Sequence, residues 1–234
     1  TLTTAQQNVS ITNTINNLRE RELDSSFAAT YFPDVVMRDD INQTVEKVPP
    51  SIAVLGAIAF NDSVGHPWFA PAGFNRASLK TVRNAAIPLS RENLDDLYSE
   101  RINPIVAFNG STPVIWGQKT VKATVGSSLE RINVRRMLLA ARREVKKVSN
   151  QVVFEPNRSE TLSKFKALVD PILKRIQDQG GVTNYKVDID TSTTTEADVE
   201  NKIIRGIVSV APVKTLEFLS LEFTISNRGS FSGV

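Results

Sequence analysis

Between Leu129 and Asn150 the chain carries its clearest helical pattern, and any fold it adopts must bury one side of that helix. At about 100° per residue, Val134, Met137, Leu138, Ala141, Val145 and Val148 gather within about 100° of arc. Arg131, Arg135, Arg142 and Lys146 form a separate stripe, and Arg136, Arg143 and Lys147 form a second one beside it. From Glu130 to Lys147 there are seven basic and two acidic residues, a net of +5, whereas the 234-residue chain carries only +3. The positive charge is therefore local, and the remainder is slightly acidic.

The segments that follow alternate between the two periods of regular structure. Gln151 to Phe154 reads as a short strand leading into Glu155-Pro156-Asn157, and Asn157 with Glu160 has the form of a capping box. The helix behind it places Leu162, Phe165, Leu168, Val169, Ile172, Leu173 and Ile176 on one face, with Pro171 roughly opposite, and Gly180-Gly181 ends it. Tyr185, Val187 and Ile189 alternate with Lys186, Asp188 and Asp190, the pattern of a half-buried strand. Thr195 with Asp198 starts a short helical turn, and Ile203 to Val210 reads as a strand. Leu216 to Ile225 sets Leu219, Leu221, Phe223 and Ile225 on one face and Ser220, Glu222 and Thr224 on the other, ahead of a Gly- and Ser-containing tail.

The first half is less periodic. Ile11, Ile15 and Leu18 support a helix from about Thr4 to Leu23, and Phe27 to Met37 is extended. Pro49-Pro50-Ser51 fixes an extended approach with Ser51 as a cap, after which Ile52 to Phe60 reads as a helix with small residues or as a buried strand. A Pro-, Gly- and aromatic-rich loop spans 65–73, Ser90 starts a helix to about Glu100, and Pro104–Phe108 and Val114–Trp116 are short strands around an Asn109-Gly110 turn. The whole is an α/β (α+β) chain with no run near the ~20 apolar residues of a membrane-spanning helix. Its opening stretch is polar, and Thr1 is expected to be the cut edge of a longer protein.

Chemistry is constrained by what is missing. With no cysteine there are no disulfides, thiolate nucleophiles or Cys-ligated zinc sites, and the single histidine, His66, sits in a turn-like Gly-His-Pro. No phosphate-binding loop is present. Asp188 and Asp190 with Glu196 and Asp198 form an acidic group that reads as solvated loop carboxylates or as a divalent-cation site, and Glu155 and Glu160 read as capping residues. No cofactor is expected. The basic helix admits three readings: a solvated face, a phosphate-binding surface for nucleic acid, or a contact with an acidic protein surface. No aromatic residues are interleaved on its basic face, which weighs against nucleic acid.

Seven words in order resemble the C-terminal part of contractile tail sheath proteins. They are Pro49-Pro50-Ser51, Pro67 to Gly73, Ile102-Asn103-Pro104-Ile105, Trp116-Gly117-Gln118-Lys119-Thr120, Ile132 to Arg136, Val153 to Asn157, and Val210-Ala211-Pro212-Val213 with Glu217-Phe218. Lys119 stands where the family usually has arginine, which weakens any bidentate role there. The resemblance implies a mixed β-sheet flanked by helices, the inner, tube-facing domain of a subunit that stacks helically around a tail tube and contracts. It implies a division into 1–48, part of a preceding outer domain or linker, and 49–234, with 215–234 as a strand arm added to a neighbour's sheet. The family's partner arm, its extreme N-terminus, is expected to lie outside this chain.

Tube contact falls by the same resemblance on the helix Ser159–Gln177, through Lys164, Lys166, Lys174 and Arg175. Inter-subunit contacts fall on Arg131, Arg135, Arg142, Lys146, Leu219, Leu221, Phe223 and Ile225. The implied partners are neighbouring sheath subunits, the tail tube protein, and baseplate and tail terminator proteins, with no membrane. The implied location is the virion tail, with the host cytoplasm during assembly. The implied role is structural and not enzymatic, and a pyocin-like or type VI secretion sheath is the alternative setting.

Overall fold

The computed structural model describes residues 3–215 and Glu217, except Asp40, Val125, Asn157 and Thr191. It opens with α1 (Thr4–Glu20), started by a reciprocal capping box between Thr3 and Gln6. The extended segment that follows is two strands, β1 (Thr30–Phe32) and β2 (Val35–Asp39), separated at a cis Phe32–Pro33 bond. Then come β3 (Thr44–Val48), α2 (Pro50–Val64), β4 (Val82–Ala85), α3 (Arg91–Ser99), β5 (Ile102–Val106) and β6 (Val114–Ile115). Ile52–Phe60 is therefore helical. Its cap differs from expectation: Pro50 occupies the first turn, where its missing N–H costs nothing, and Pro49 rather than Ser51 stands at the N-cap.

These strands make two sheets. In the first, β5 lies between β1, which is parallel to it, and β6, which is antiparallel. In the second, β2 lies between β3 and β4, both antiparallel. Strands from residues 30–48 thus pair with one another and with strands from 82–106. Side chains of a strand alternate between faces, so Ile102 and Ile105, three apart, point to opposite sides of the first sheet. Ile102 joins Phe32, Ile11, Ile87 and Leu97 beneath α1 and α3. Ile105 joins Val54, Leu79, Val82 and Ile115 beneath α2 and the second sheet.

The second half holds α4 (Ile132–Ser149), α5 (Ser159–Asp178), β7 (Val182–Asp188), α6 (Glu196–Glu200) and β8 (Ile207–Pro212), with β7 and β8 an antiparallel pair. Met137 and Ala141 of α4, Leu162, Val169 and Leu173 of α5, and Val187 of β7 share one core. Pro171 lies within α5 on its exposed side, as the periodicity predicts.

Three local expectations are corrected. Gln151–Phe154 is not a strand but a turn between two helices that pack on each other. Val152 is buried there and Phe154 is driven into the left-handed region with its ring in solvent. Arg158 holds the N-cap of α5 without a side-chain cap bond, and Asn157 lies outside the described residues. The last described strand starts at Ile207 rather than Ile203, because the Ile203 amide donates to the Asp198 carbonyl and Arg205 is paired with the Asp198 side chain. The expected strand Leu216–Ile225 lies outside the described residues apart from Glu217.

Asn103 binds three chain segments together from within β5. Its amide nitrogen donates to the carbonyls of Thr30 (3.0 Å) and Lys119 (2.8 Å), and its oxygen accepts the Lys119 N–H at 2.6 Å. The neighbouring Gly117 has no room for a side chain, since a Cβ would stand 2.9 Å from the Asn103 oxygen. Asn103→Ala removes the partner of one part-buried N–H (Lys119) and two part-buried carbonyls (Thr30 and Lys119), and each such group left unpaired costs about 1–3 kcal/mol. The expected loss is about 2–4 kcal/mol in urea unfolding. A loss below 0.5 kcal/mol would show that water replaces the side chain.

Candidate assembly interface

The basic stripe of α4 divides along its length. Near the N-terminus, Arg131 Nη2 lies 3.0 Å from Glu217 Oε2 and 3.3 Å from the Tyr98 hydroxyl. Glu217 also accepts from Tyr98 Oη (3.0 Å) and Gln118 Nε2 (3.2 Å). Lys119 closes this group from the other side. Its ammonium sits 3.3 Å from the Tyr98 ring centroid and donates to the Tyr98 carbonyl at 2.8 Å. Burial pushes the Tyr98 hydroxyl above its ordinary value, with the Glu217 carboxylate adding to the shift, and burial pushes the Lys119 ammonium below its own. Asn133 donates to Thr215 Oγ1 at 3.1 Å. Thr215 and Glu217 are thus clasped against the first turn of α4 and the end of α3.

Arg135 is likewise turned inward, bonded to Ser26 and stacked 4.1 Å over the Phe27 ring, and Arg136 pairs with Asp62. Arg142 and Lys146 are exposed on the second half of the helix. The wheel places all four predicted contacts in one stripe. The fold separates them because the first turns of α4 run beneath the 65–73 loop and the Ser26–Phe27 turn. Leu219, Leu221, Phe223 and Ile225 lie outside the described residues.

On α5, Lys164, Lys174 and Arg175 share an outward arc of about 100°, with side chains more than half exposed. Each has an acidic neighbour: Glu155 at 3.9 Å, Asp178 at 2.7 Å and Glu144 at 3.7 Å respectively. Lys166 falls on the other flank, facing the loop of Asp190. The four predicted tube contacts are therefore three plus one.

The β7–β8 pair offers a sheet edge. Along β8, Ile207 and Val208 are exposed, as is Val213 just beyond it. The crossover before β8 is fixed by Asp198, which accepts from Arg205 Nη2 at 2.8 Å and from Thr195 in a capping box. The carboxylates once grouped as a cation site are separately engaged: Asp188 with Lys186 (2.9 Å), Asp190 with Ser192, and Asp198 with Arg205. Among the described residues no group of three or more His, Asp or Glu could hold a metal ion. His66 stacks on Trp68, ring centroids 4.7 Å apart.

Residues 124–226 match the family described as the phage tail sheath C-terminal domain. The chain belongs to the phage tail sheath family. The tail sheath protein of Vibrio phage KVP40 is 34% identical over 81% of this chain, and that of Enterobacteria phage T4 is 28% identical over 89%. The chain spans 28% and 31% of those two relatives' lengths. The sheath complex of an extracellular contractile injection system, PVC, in its contracted state is similar in structure, with a TM-score of 0.78 and 25% identity. That match covers 91% of this chain and 61% of the other.

Sequence reasoning missed the clasp, although its parts lay in the family's words. Gln118 and Lys119 come from one word, Asn133 from another and Glu217 from a third. Tyr98, Arg131 and Thr215 stand outside them. Two predictions follow the geometry. Asp198 is held well below the ordinary carboxylate range, chiefly by its bond to Arg205, so the ionised form belongs to the folded state. Its contribution is complete above the unfolded value near 4 and fades as pH falls through the depressed folded value. Amide protection factors in 194–208, taken relative to the intrinsic exchange rate at each pH, are therefore expected to fall below about pH 4, and those of Asp198→Asn to be low already at neutral pH. For the clasp, a double-mutant cycle of Arg131→Ala and Glu217→Ala should give a coupling of about 1–2 kcal/mol, above an exposed pair, since both side chains are mostly buried.

Proposed function

We propose that this chain is the tube-facing, C-terminal portion of a contractile tail sheath subunit, a structural protein that polymerises helically around a tail tube and shortens to drive it through a host envelope. The observation that carries the reading is the β8 strand of a two-stranded sheet, with exposed Ile207 and Val208, together with the clasped Thr215 and Glu217. The edge of such a sheet accepts a strand through main-chain hydrogen bonds, and the alternating Leu216–Ile225 is suited to be the strand donated to a neighbour. Membership of the sheath family and the likeness to a contracted sheath complex support repetition of that contact through a lattice. A heterologous contact that does not close on itself gives a helix.

In this arrangement residues 49–234 form the tube-facing domain with 215–234 as its arm. Residues 1–48 lead in from a preceding segment, their strands paired into the same sheets. Lys164, Lys174 and Arg175 face the tube protein, with Lys166 at the margin. Arg142 and Lys146 face neighbouring subunits, while Arg131 and Arg135 act through the folded chain, holding the arm's root and the Phe27 turn. Baseplate and terminator proteins cap the array, which resides in the virion tail after assembly in the host cytoplasm. Exposed ion pairs contribute only about 0–1 kcal/mol each, which suits a grip that must let go.

Electron microscopy of assembling protein tests the reading. Ile207→Lys with Val208→Lys, which charges the edge without touching the core, is expected to abolish helical tubes while leaving the circular dichroism and melting of the subunit unchanged. Charge reversal at Lys164, Lys174 and Arg175 should leave sheath tubes intact and strip them from the inner tube. Tubes of normal yield from the edge variant would sink the strand-donation reading.

A further inference from the structure

The second half of α4 carries more positive charge than the subunit neutralises. Arg142, Arg143, Lys146 and Lys147 are exposed there, and Arg175 of α5 stands beside them. Among the described residues one carboxylate pairs with this group, Glu144, at 2.7 Å from Lys147 and 3.7 Å from Arg175. The Lys147 ammonium, and after it Arg175 and Arg143, hold that carboxyl below its ordinary range. Arg142, Arg143 and Lys146 make no ion pair among the described residues. Arg142 and Lys146 are four apart, a spacing at which like charges destabilise a helix. Leu139, 40% exposed, lies between the two basic stripes, with Arg142 and Arg143 one turn further on. An apolar centre rimmed by cations suits a protein surface, whereas a phosphate backbone makes no use of the leucine.

The complementary charge stands on α3. Glu92, Asp95 and Asp96 share an arc of about 100°, with Arg91 at its margin; all are exposed and make no ion pair among the described residues. No other helix among the described residues presents three unpaired carboxylates. Glu92 and Asp96 repeat the like-charge spacing of Arg142 and Lys146. Each set spans about one turn, ~6 Å of helix axis. The two sets do not pair within the subunit. Tyr98 at the end of α3 bonds Arg131 at the start of α4, and Arg142 to Lys146 lie ~16–22 Å further along that helix. We propose that the acidic face of α3 in one copy docks on the basic second half of α4 in another. A contact between two different faces leaves one of each kind free on the pair, so it repeats along an array. In that respect the proposal rests on the sheath reading, giving Arg142 and Lys146 a named counterpart on the neighbouring subunit. The screening length falls from about 10 Å at 0.1 M salt to about 3 Å at 1 M, so this docking is sensitive to salt.

A zero-length carbodiimide, which joins an amine to a carboxylate already in contact with it, tests the docking on a mixture of isotope-labelled and unlabelled chain. Adducts joining Lys146 to Asp95 or Asp96, with one half labelled and the other not, are expected at low salt and should fall at least tenfold at high salt. Arg142→Glu with Arg143→Glu leaves Lys146 in place and should lower the mixed adduct at least tenfold. Asp95→Lys with Asp96→Lys should do the same. Mixing those two variants should restore inter-chain adducts, now between the exchanged positions, because each charge reversal answers the other. Both variants are expected to keep the circular dichroism and melting of the parent, since none of the altered residues is ion-paired among the described residues. The proposal is overturned by any of four results: no mixed-isotope adduct at the highest concentration reached, Lys146 joined only to carboxylates outside α3, no restoration when the two variants are mixed, or capture of a DNA duplex by α4 without mixed adducts. Normal helical tubes together with any of these would reject the contact between α3 and α4 alone. Mixed adducts with restoration but without tubes would reject the sheath reading and leave the contact standing.

Discussion

The indole of Trp68 connects the two halves of this fold. It is carried by the loop between α2 and β4, yet its ring is part of the core made by α4, α5 and β7. Its Nε1–H donates to the Gln179 carbonyl at 3.0 Å, and its own carbonyl accepts from Asn133 at 3.3 Å. A buried tryptophan brings a large apolar area and one donor that must find a partner, so it fixes orientation as well as distance. Gly181 stands beside it without a side chain, since a Cβ there would lie 3.1 Å from the ring and 2.6 Å from Ile176. Every feature of the second half, including the β8 edge and the outward arc of α5, takes its position relative to the first half partly from this one ring.

The clasp depends on the same placement. Asn133, which bonds Trp68, is the second residue of α4 and reaches Thr215, while Arg131 two residues earlier reaches Glu217. Thr215 and Glu217 are thus held by polar bonds. Near them, Gln118 Oε1, Asn133 Oδ1 and Arg131 Nη1 are buried without partners among the described residues. Polar groups of this kind favour a defined geometry over maximal stability, because an unpaired buried group is costly and only one arrangement pairs most of them.

How much of this was legible in the sequence follows from the range of the forces involved. The helices α4 and α5 were readable because their apolar residues recur at the helical period: of the predicted α5 face, Leu162, Val169, Leu173 and Ile176 are buried and Phe165, Leu168 and Ile172 half-buried, with Pro171 on the outside. The capping box of Thr195 and Asp198 was readable for the same reason, being a contact across three residues. Gln151–Phe154 misled because valine and phenylalanine favour strands, whereas the need to connect two packed helices within nine residues decides the backbone. The stripe of Arg131, Arg135, Arg142 and Lys146 misled in another way. A helical wheel shows which side chains point together but not what the rest of the chain lays over them, and here Ser26, Phe27 and Tyr98 cover the first two. Asn103, Trp68 and Tyr98 bond to residues more than twenty positions away or to backbone atoms, and no local pattern announces them.

The two-stranded β7–β8 sheet has a further implication. An unpaired strand edge has a valence of one: once a strand lies along β8, no second strand can take the same hydrogen bonds. A unit that offers one such edge and one such strand can extend a chain of units but cannot branch it. Growth by that contact is then a linear chain reaction with two ends, and a unit whose edge is filled by the wrong strand acts as a terminator. In the proposed lattice, length control and poisoning by damaged subunits become the same problem, set by the free edge of one short strand.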